Sequence, residues 1–332
     1  MDIKKNLILV DYDCPSQWKF VDGLSKSTKE LWEVKKLVSN ANHTGMLQNI
    51  IRYLKYFWLP FTVFLRRDKY KKVIGWQQFF GLILGFYCHL FHVKNAPNIY
   101  IMTFIYNRRS SNFGNVYEKF IKYCITSDAI KKIVVFSKTE PKYYSDIFGV
   151  DESLFASIDL GIEDLLDNYE ISDNGRYLSA GRSNRDYDFL VNNWNSDKDL
   201  DIICDTLNAS EKENIKIYTS IHNEEYFKML SECHAVILCL KDENVSSGQL
   251  VIMQAMMLNK PVICTENKTV ANYIDSGADG LIIKKDADSI EKALQYVEEH
   301  YSELTKKARE RFVNKYTEYQ MGLNIGGIVK GE

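Results

Sequence analysis

The sequence contains no Cys-x-x-Cys pair. Its seven cysteines, Cys14, Cys88, Cys124, Cys204, Cys233, Cys239 and Cys264, are scattered and odd in number. That distribution excludes a disulfide framework and a zinc site and fits a reducing compartment. There is also little net charge, -2 over 332 residues, so nothing pulls the whole chain toward nucleic acid, and no nucleic-acid partner is expected. A membrane-crossing run is lacking as well: the apolar stretch 79–91 is too short, holds two glycines and His89, and reads as a helix buried against a sheet. The N-terminus passes from Met1-Asp-Ile-Lys-Lys straight into the strand-like Asn6-Leu-Ile-Leu-Val10, with no signal-peptide region of useful length. A cytoplasmic location is expected.

What is present is length for two domains and an apolar fraction of 45%, enough for a core in each. Short apolar runs at 7–10, 72–76, 99–104 and 132–137 alternate with segments of helical spacing such as 113–125 and 140–148. Strand and helix alternating at this interval predict a parallel sheet covered on both faces. The first run ends in Asp11-Tyr12-Asp13, where the ligands of open α/β folds gather at the carboxyl edge. The run 99–104 opens into Tyr106-Asn107-Arg108-Arg109, which is expected to face the same cleft as Asp13.

Residues 46–72 have an unusual composition. Aromatic and aliphatic residues, among them Tyr56, Phe57, Trp58, Phe61 and Phe64, are bracketed by seven Lys and Arg with Asp68 the only acid. Apolar area beside cations suits a segment lying in an anionic membrane interface. The alternative is a core helix with a solvated basic flank.

After a polar, acidic stretch at 163–174, which reads as an interdomain linker, the alternation resumes. Strands are expected at 176–180, 200–204, 215–218, 235–240, 261–264 and 280–283, and helices at 223–232, 249–258, 269–275 and 286–300. This predicts a second doubly wound α/β domain. Two of its loops stand out. Gly181-Arg182-Ser183-Asn184-Arg185 places cations at a strand end over a helix start. Ser246-Ser247-Gly248 leads into the helix beginning at Gln249, where unpaired N–H groups and the positive end of the helix dipole favour a phosphate. Together they read as a two-sided anion site.

These loops carry a resemblance. Gly181-Arg182, the Thr219-Ser220-Ile221-His222 loop, and Ser247-Gly248-Gln249 followed by Gln254-Ala255-Met256 and Lys260-Pro261-Val262-Ile263-Cys264 resemble the nucleotide-binding half of GT-B glycosyltransferases, nearest the retaining family four or "glycosyl transferases group one". The resemblance covers residues 176–294. It implies an α/β GT-B architecture of two Rossmann-like doubly wound domains facing each other across a cleft. On that division an acceptor-binding domain spans 1–165 with the membrane-facing segment 46–72, and a nucleotide-sugar domain spans 175–305. A C-terminal helical segment follows at 306–332, expected to cross back to the first domain, and residues 302–319 read as an amphipathic helix whose stripe of Leu304, Ala308, Phe312, Tyr316 and Tyr319 is expected to pack across the domain boundary.

Carried over residue by residue, the resemblance implies that Arg182 and Arg185 hold the donor diphosphate and stabilise it as it leaves. The backbone of Ser247, Gly248 and Gln249 contacts the phosphates, and Ser220 and His222 border the base. The family's Glu-x7-Glu motif is altered here to Ser246 and Gln254, which would meet the donor sugar and ribose; an amide both donates and accepts and so still serves hydroxyls. Asp13, Tyr106, Asn107 and Arg108 would line the acceptor cleft. No cofactor and no metal are expected, despite the D-x-D at Asp11 and Asp13. The implied enzyme is a metal-independent, retaining hexosyltransferase that uses a nucleoside-diphosphate sugar, UDP favoured over GDP, and a lipid-linked or oligosaccharide acceptor. It would act peripherally on the inner face of the membrane, in bacterial capsule or other surface polysaccharide synthesis. A sugar-nucleotide epimerase of the same fold and a degenerate, non-catalytic transferase subunit are the alternatives.

Overall fold

The computed structural model describes residues 4–38, 46–108, 111–207, 210, 212–243, 247–268 and 270–331, with the side chains of 46–53 and 112–113 left aside. The chain forms two compact units, Met1–Leu160 with Glu318–Glu332, and Gly161–Thr317.

The first unit is built on β1 (Lys5–Val10), β2 (Trp32–Lys36), β3 (Tyr70–Gly75), β4 (Asn98–Ile101), β5 (Ile130–Val135) and β6 (Phe155–Ser157), all parallel, in the order β2-β1-β3-β4-β5-β6. Helices α1 (Lys19–Thr28), α2 (Met46–Leu65), α3 (Gln78–Leu90), α4 (Asn112–Ile125) and α5 (Glu140–Phe148) connect consecutive strands. Alternate side chains of each strand enter opposite cores, as a pleat of period two requires. Leu7, Leu9, Val73, Ile99, Ile101, Ile133 and Val135 pack with α2, α3, α4 and α5. On the other face Ile8, Val10, Ile74, Tyr100 and Val134 pack with Phe20 and Leu24 of α1 and with Met321, Ile325 and Val329.

Those last three residues belong to α10 (Glu318–Lys330), which lies backbone to backbone on α1. A Cβ on Gly23 would stand 2.1 Å from the Tyr319 carbonyl oxygen, and one on Gly322 would stand 2.1 Å from that of Phe20. The Trp18 indole donates to Glu318 at 2.9 Å and the Tyr100 hydroxyl to the Val329 carbonyl at 3.1 Å.

The second unit contains β7 (Tyr177–Ala180), β8 (Leu200–Ile203), β9 (Ile215–Tyr218), β10 (Ala235–Leu238), β11 (Val262–Thr265) and β12 (Leu281–Ile283), in the order β12-β11-β10-β7-β8-β9. Its helices are α6 (Tyr187–Asn193), α7 (Asn223–Glu232), α8 (Gln249–Met257) and α9 (Ala287–Arg311). The strand order reverses between β7 and β10, and the crevice outside such a switch point is where open α/β sheets take ligands.

Three expectations are corrected. The stretch 163–174 is fastened to the second unit rather than strung out as a tether: Arg309 grips Asp164 at 2.9 and 2.6 Å, the Ser172 N–H donates to Ser231, His234 meets Asp173 at 2.8 Å, and the buried Lys260 ammonium donates to the Ser172 carbonyl at 2.5 Å. The helix expected at 269–275 is a single 3-10 turn, Val270–Asn272. The helix expected through Tyr319 instead leaves α9 by a π turn, Phe312–Tyr316, and an extended Thr317 before α10 begins. Leu304, Ala308, Phe312 and Tyr316 are buried, and Tyr316 packs inside the second unit, stacked on Tyr273 with ring centres 5.3 Å apart.

In α2 one stripe, Tyr56, Leu59, Val63 and Phe64, enters the core, while Leu54, Phe57, Trp58 and Leu65 stay exposed. Among the described residues no helix is long and apolar enough to cross a membrane.

Candidate functional site

At the carboxyl edge of the second sheet the loops after β7, β8 and β9 and the helices α7 and α8 enclose a cavity of about 550 Å³. Its polar lining is Arg182, Asp205, His222, Asn223, Tyr226 and Gln254; its apolar lining includes Ile203, Ile221, Leu250 and Val251.

The loop after β7 turns at Gly181, whose φ of +117° few side chains tolerate. Glycine is required there for a second reason, because a Cβ would sit 2.5 Å from Nη2 of Arg185. That arginine is folded under the loop and only 8% exposed. Its Nε donates to the Ala180 carbonyl at 2.9 Å and Nη1 to the Ser183 carbonyl at 2.8 Å. Burial lowers its pKa from the ordinary arginine value. The expectation that Arg182 and Arg185 present two cations side by side is therefore changed: Arg185 braces the loop from behind and Arg182 alone lines the cavity.

Asn184, also left-handed at φ +57°, joins this loop to the start of α8. Its amide donates to the Asp242 carbonyl and to Ser247 Oγ, both at 2.9 Å, and its own oxygen accepts from the Asp242 N–H. Ser247 is thus held in place, and Gly248, at φ +92°, turns the chain into α8. Gln249 is half-buried at the first turn. Ser246 lies outside the described residues. The two loops expected to form an anion site are brought together, and Asn184 joins them.

Arg182 is 74% exposed and meets Asp205 at 3.1 Å. Asp205, just beyond β8, also accepts the Ser220 N–H at 2.8 Å. Ser220 has φ +60°, so this bond fixes a left-handed turn after β9. The Ser220 N–H, with Arg182 and His222 nearby, holds the Asp205 carboxyl below the usual carboxylate range. On the α8 side Gln254 Oε1 accepts from the Tyr226 hydroxyl at 2.9 Å, and burial pushes the pKa of that hydroxyl upward.

Arg182, His222 and Gln254 therefore share one cavity; Ser220, Ser247 and Gly248 are not in its lining, but Ser220 directly precedes the lining segment Ile221–Asn223 in the chain, and Ser247 and Gly248 come shortly before Leu250–Val251. Asp205, Tyr226 and Asn184 were not among the expected site residues. Asp205 did carry a signal: it directly follows the apolar run 200–204, at the carboxyl edge where open α/β sheets take their ligands.

In the first unit, Asp13 pairs with Lys36 at 2.8 Å at the ends of β1 and β2, and Asp11 accepts from Tyr56 at 3.4 Å. Tyr106 is buried rather than displayed. Its hydroxyl donates to Glu118 at 3.0 Å, and burial together with that carboxylate pushes it up to about 12. Arg108 reaches the same Glu118 at 3.2 Å, and Asn107 is exposed beside it. Tyr106 and Arg108 thus converge on one carboxylate, while Asp13 is engaged with a different partner.

Two α/β units, each with a six-stranded parallel sheet and flanking helices, define the GT-B class. Residues 181–318 match the family model described as Glycosyl transferases group 1. The fold is that of GT-B glycosyltransferases. No curated protein matches the sequence. Among solved structures the chain is similar to a sucrose-phosphate synthase from Thermosynechococcus elongatus, with 13% identity, TM-score 0.64, and 99% of each chain covered. It is similar also to Anabaena HepE in complex with UDP and glucose, with 10% identity, TM-score 0.61, covering 99% of this chain and 100% of that one. A third is the lipopolysaccharide outer core galactosyltransferase WaaB, with 11% identity, TM-score 0.60, covering 98% and 99%.

Proposed function

We propose that this protein transfers a hexosyl group from a nucleoside-diphosphate sugar, UDP favoured over GDP, to a lipid-linked saccharide at the cytoplasmic face of the membrane, in bacterial surface polysaccharide synthesis. The observation that carries the donor half is the cavity where Arg182, His222 and Gln254 meet beside the start of α8. Arg182 exchanges Asp205 for the donor diphosphate and neutralises it as it leaves. The N–H groups of Ser247, Gly248 and Gln249 add the positive end of α8. Arg185 fixes the loop and adds positive potential from beneath. Gln254, its oxygen engaged by Tyr226, turns its amide protons toward ribose or sugar hydroxyl oxygens. No metal ion is required for this neutralisation, and the stereochemical outcome is retention. The complex of HepE with UDP and glucose supports the donor class, and the lipopolysaccharide substrate named for WaaB supports a surface polysaccharide acceptor.

Exposed aromatic side chains on α2, with Arg66 and Arg67 at its end, support the membrane half of the reading. Washed membranes supplied with labelled UDP-sugars should label the lipid extract, and Arg182→Ala should abolish the transfer. An unlabelled extract with every UDP- and GDP-sugar offered, or undiminished transfer by Arg182→Ala, would overturn the proposal.

The presence of Asp205 and His222 in one cavity favours a second reading, a sugar-nucleotide epimerase working by acid and base. Incubation with UDP-N-acetylglucosamine alone separates the two, since only an epimerase yields a new sugar nucleotide without an acceptor.

A further inference from the structure

Beyond its first turn α8 carries a single polar side chain, Gln254, set among Ile252, Met253, Ala255 and Met256, all fully buried. A primary amide has acceptor lone pairs at one end and N–H donors at the other, and a half-turn about its last bond exchanges them. Which end faces the cavity decides what this wall offers a ligand. Oε1 accepts from the Tyr226 hydroxyl at 2.9 Å, and among the described residues the amide nitrogen has no protein partner.

Three features of Tyr226 fix that choice. Burial pushes its pKa upward, so the hydroxyl keeps a proton to give. The buried Arg185 guanidinium is close enough to Tyr226 for the two to interact, and a cation draws the phenol lone pairs toward itself and turns the O–H away. Among the described residues Gln254 is the hydrogen-bond partner that this O–H finds, and only the oxygen end of an amide accepts. Finally, α7 brings the ring to a set place. Just ahead of the helix the Ser220 N–H is held on Asp205 at 2.8 Å, and at its end the Ser231 and Glu232 carbonyls accept from the Ser172 and Asn174 N–H groups at 3.1 and 2.9 Å.

We propose that Tyr226 is a positioning residue for the nucleotide: it holds the oxygen of Gln254 back and turns the amide N–H groups into the cavity, so that this wall gives hydrogen bonds and takes none. The assignment rests on the nucleoside-diphosphate donor proposed above, with the nucleoside as the enclosed part because the sugar has to stay within reach of an acceptor. A ribose hydroxyl then meets Gln254 as an acceptor and gives its own proton elsewhere. Tyr226→Phe removes one oxygen atom and leaves the ring in place. Calorimetry on the full-length protein should show it weakening UDP binding by about 3- to 10-fold. In a Gln254→Met background the same replacement should change UDP affinity by less than about twofold, because the amide it positions is gone. A tyrosine that merely packs α7 costs the same in both backgrounds. With glutamine isotope-labelled at its side-chain nitrogen, the Gln254 N–H resonances, identified by their loss in Gln254→Met, should shift on addition of UDP, and shift less in Tyr226→Phe. An equal cost in the two backgrounds, undiminished binding by Tyr226→Phe, or Gln254 resonances indifferent to UDP would overturn the proposal. A wild type that binds no UDP would sink the donor reading instead. Urea unfolding of the same four proteins then decides the bond itself: a Tyr226→Phe destabilisation that persists in Gln254→Met overturns it, and one that disappears there upholds it.

Discussion

Replacing Arg182 and Asp205 singly and together tests whether Asp205 merely holds Arg182 in readiness or touches the ligand itself. A charge-assisted hydrogen bond to a phosphate contributes about 1.5–3 kcal/mol. Arg182→Ala should therefore weaken UDP binding by about 10- to 150-fold, at 1.4 kcal/mol per tenfold. The Arg182–Asp205 pair is itself exposed at both ends, and such pairs contribute about 0–1 kcal/mol. Breaking it costs little, and Asp205→Asn also removes a negative charge facing the diphosphate while keeping an acceptor for the Ser220 N–H. That variant should bind UDP as well as the wild type or up to about fivefold tighter. The double variant should bind UDP as Arg182→Ala alone does or up to about fivefold tighter, since the charge removed at Asp205 faces the phosphates whether or not Arg182 is present. Titration calorimetry with UDP, and with uridine as the phosphate-free control, reads all four proteins. The Arg182→Ala deficit should also shrink as salt is raised, because the site is open to solvent. If Asp205→Asn weakens UDP tenfold while Arg182→Ala does nothing, the roles given to the two side chains are wrong and Asp205 is a direct ligand contact.

Two further predictions concern stability. Glu30 accepts from Lys71 at 2.6 Å and from the nearly buried Lys72 at 2.7 Å. Desolvation raises its pKa, but the two lysines outweigh that and hold it below the ordinary carboxylate value. Its contribution is thus present above the unfolded-state value near 4.5 and lost as pH falls through the depressed folded value. Glu30→Gln should cost about 1–3 kcal/mol at pH 7 and progressively less in acid; urea unfolding that shows a pH-independent cost would refute the pairing. Gly322→Ala should destabilise the first unit by on the order of 3 kcal/mol, because its methyl group would meet the Phe20 carbonyl and backbone cannot yield as a side chain can. Calorimetry should then show the first unit's transition lowered and that of the second unit in place, and a thermogram like the wild type's would contradict the close packing.

Most strands were legible because burial on both faces writes continuous apolar runs, as in Leu7 to Val10 or Ala235 to Leu238, whereas β2 and β6, the two edges of the first sheet, write no such run and were not expected. Helix α1 was not, since its apolar face makes sense only against α10, which the chain reaches some three hundred residues later. Helix α10 was expected within 306–332, but its separate start at Glu318 was not, and its Gly322 and Gly326, which look like helix breakers locally, are small because α1 and its side chains crowd them. At the site, the resemblance pointed to Arg182, His222 and Gln254, and these do share a cavity. Arg185 was misplaced because a loop sequence says which charges are near but not which way a guanidinium turns. Tyr226 sits on a half-exposed helix face, and only its bond to Gln254 sets it apart.

The path of the chain also bears on the order of synthesis. The first unit is left after Leu160 and resumed at Glu318, and the two ends of the intervening unit are tied together, Ile162 bridged to Thr317 with its N–H on the Tyr316 carbonyl at 2.8 Å. A chain emerging from the ribosome therefore has everything needed to complete the later unit first, while the earlier one waits with one face of its sheet uncovered until the final helix arrives. A truncated or proteolysed chain ending near residue 317 would leave the second unit intact and expose Ile8, Val10 and Phe20 on the unit that was made first.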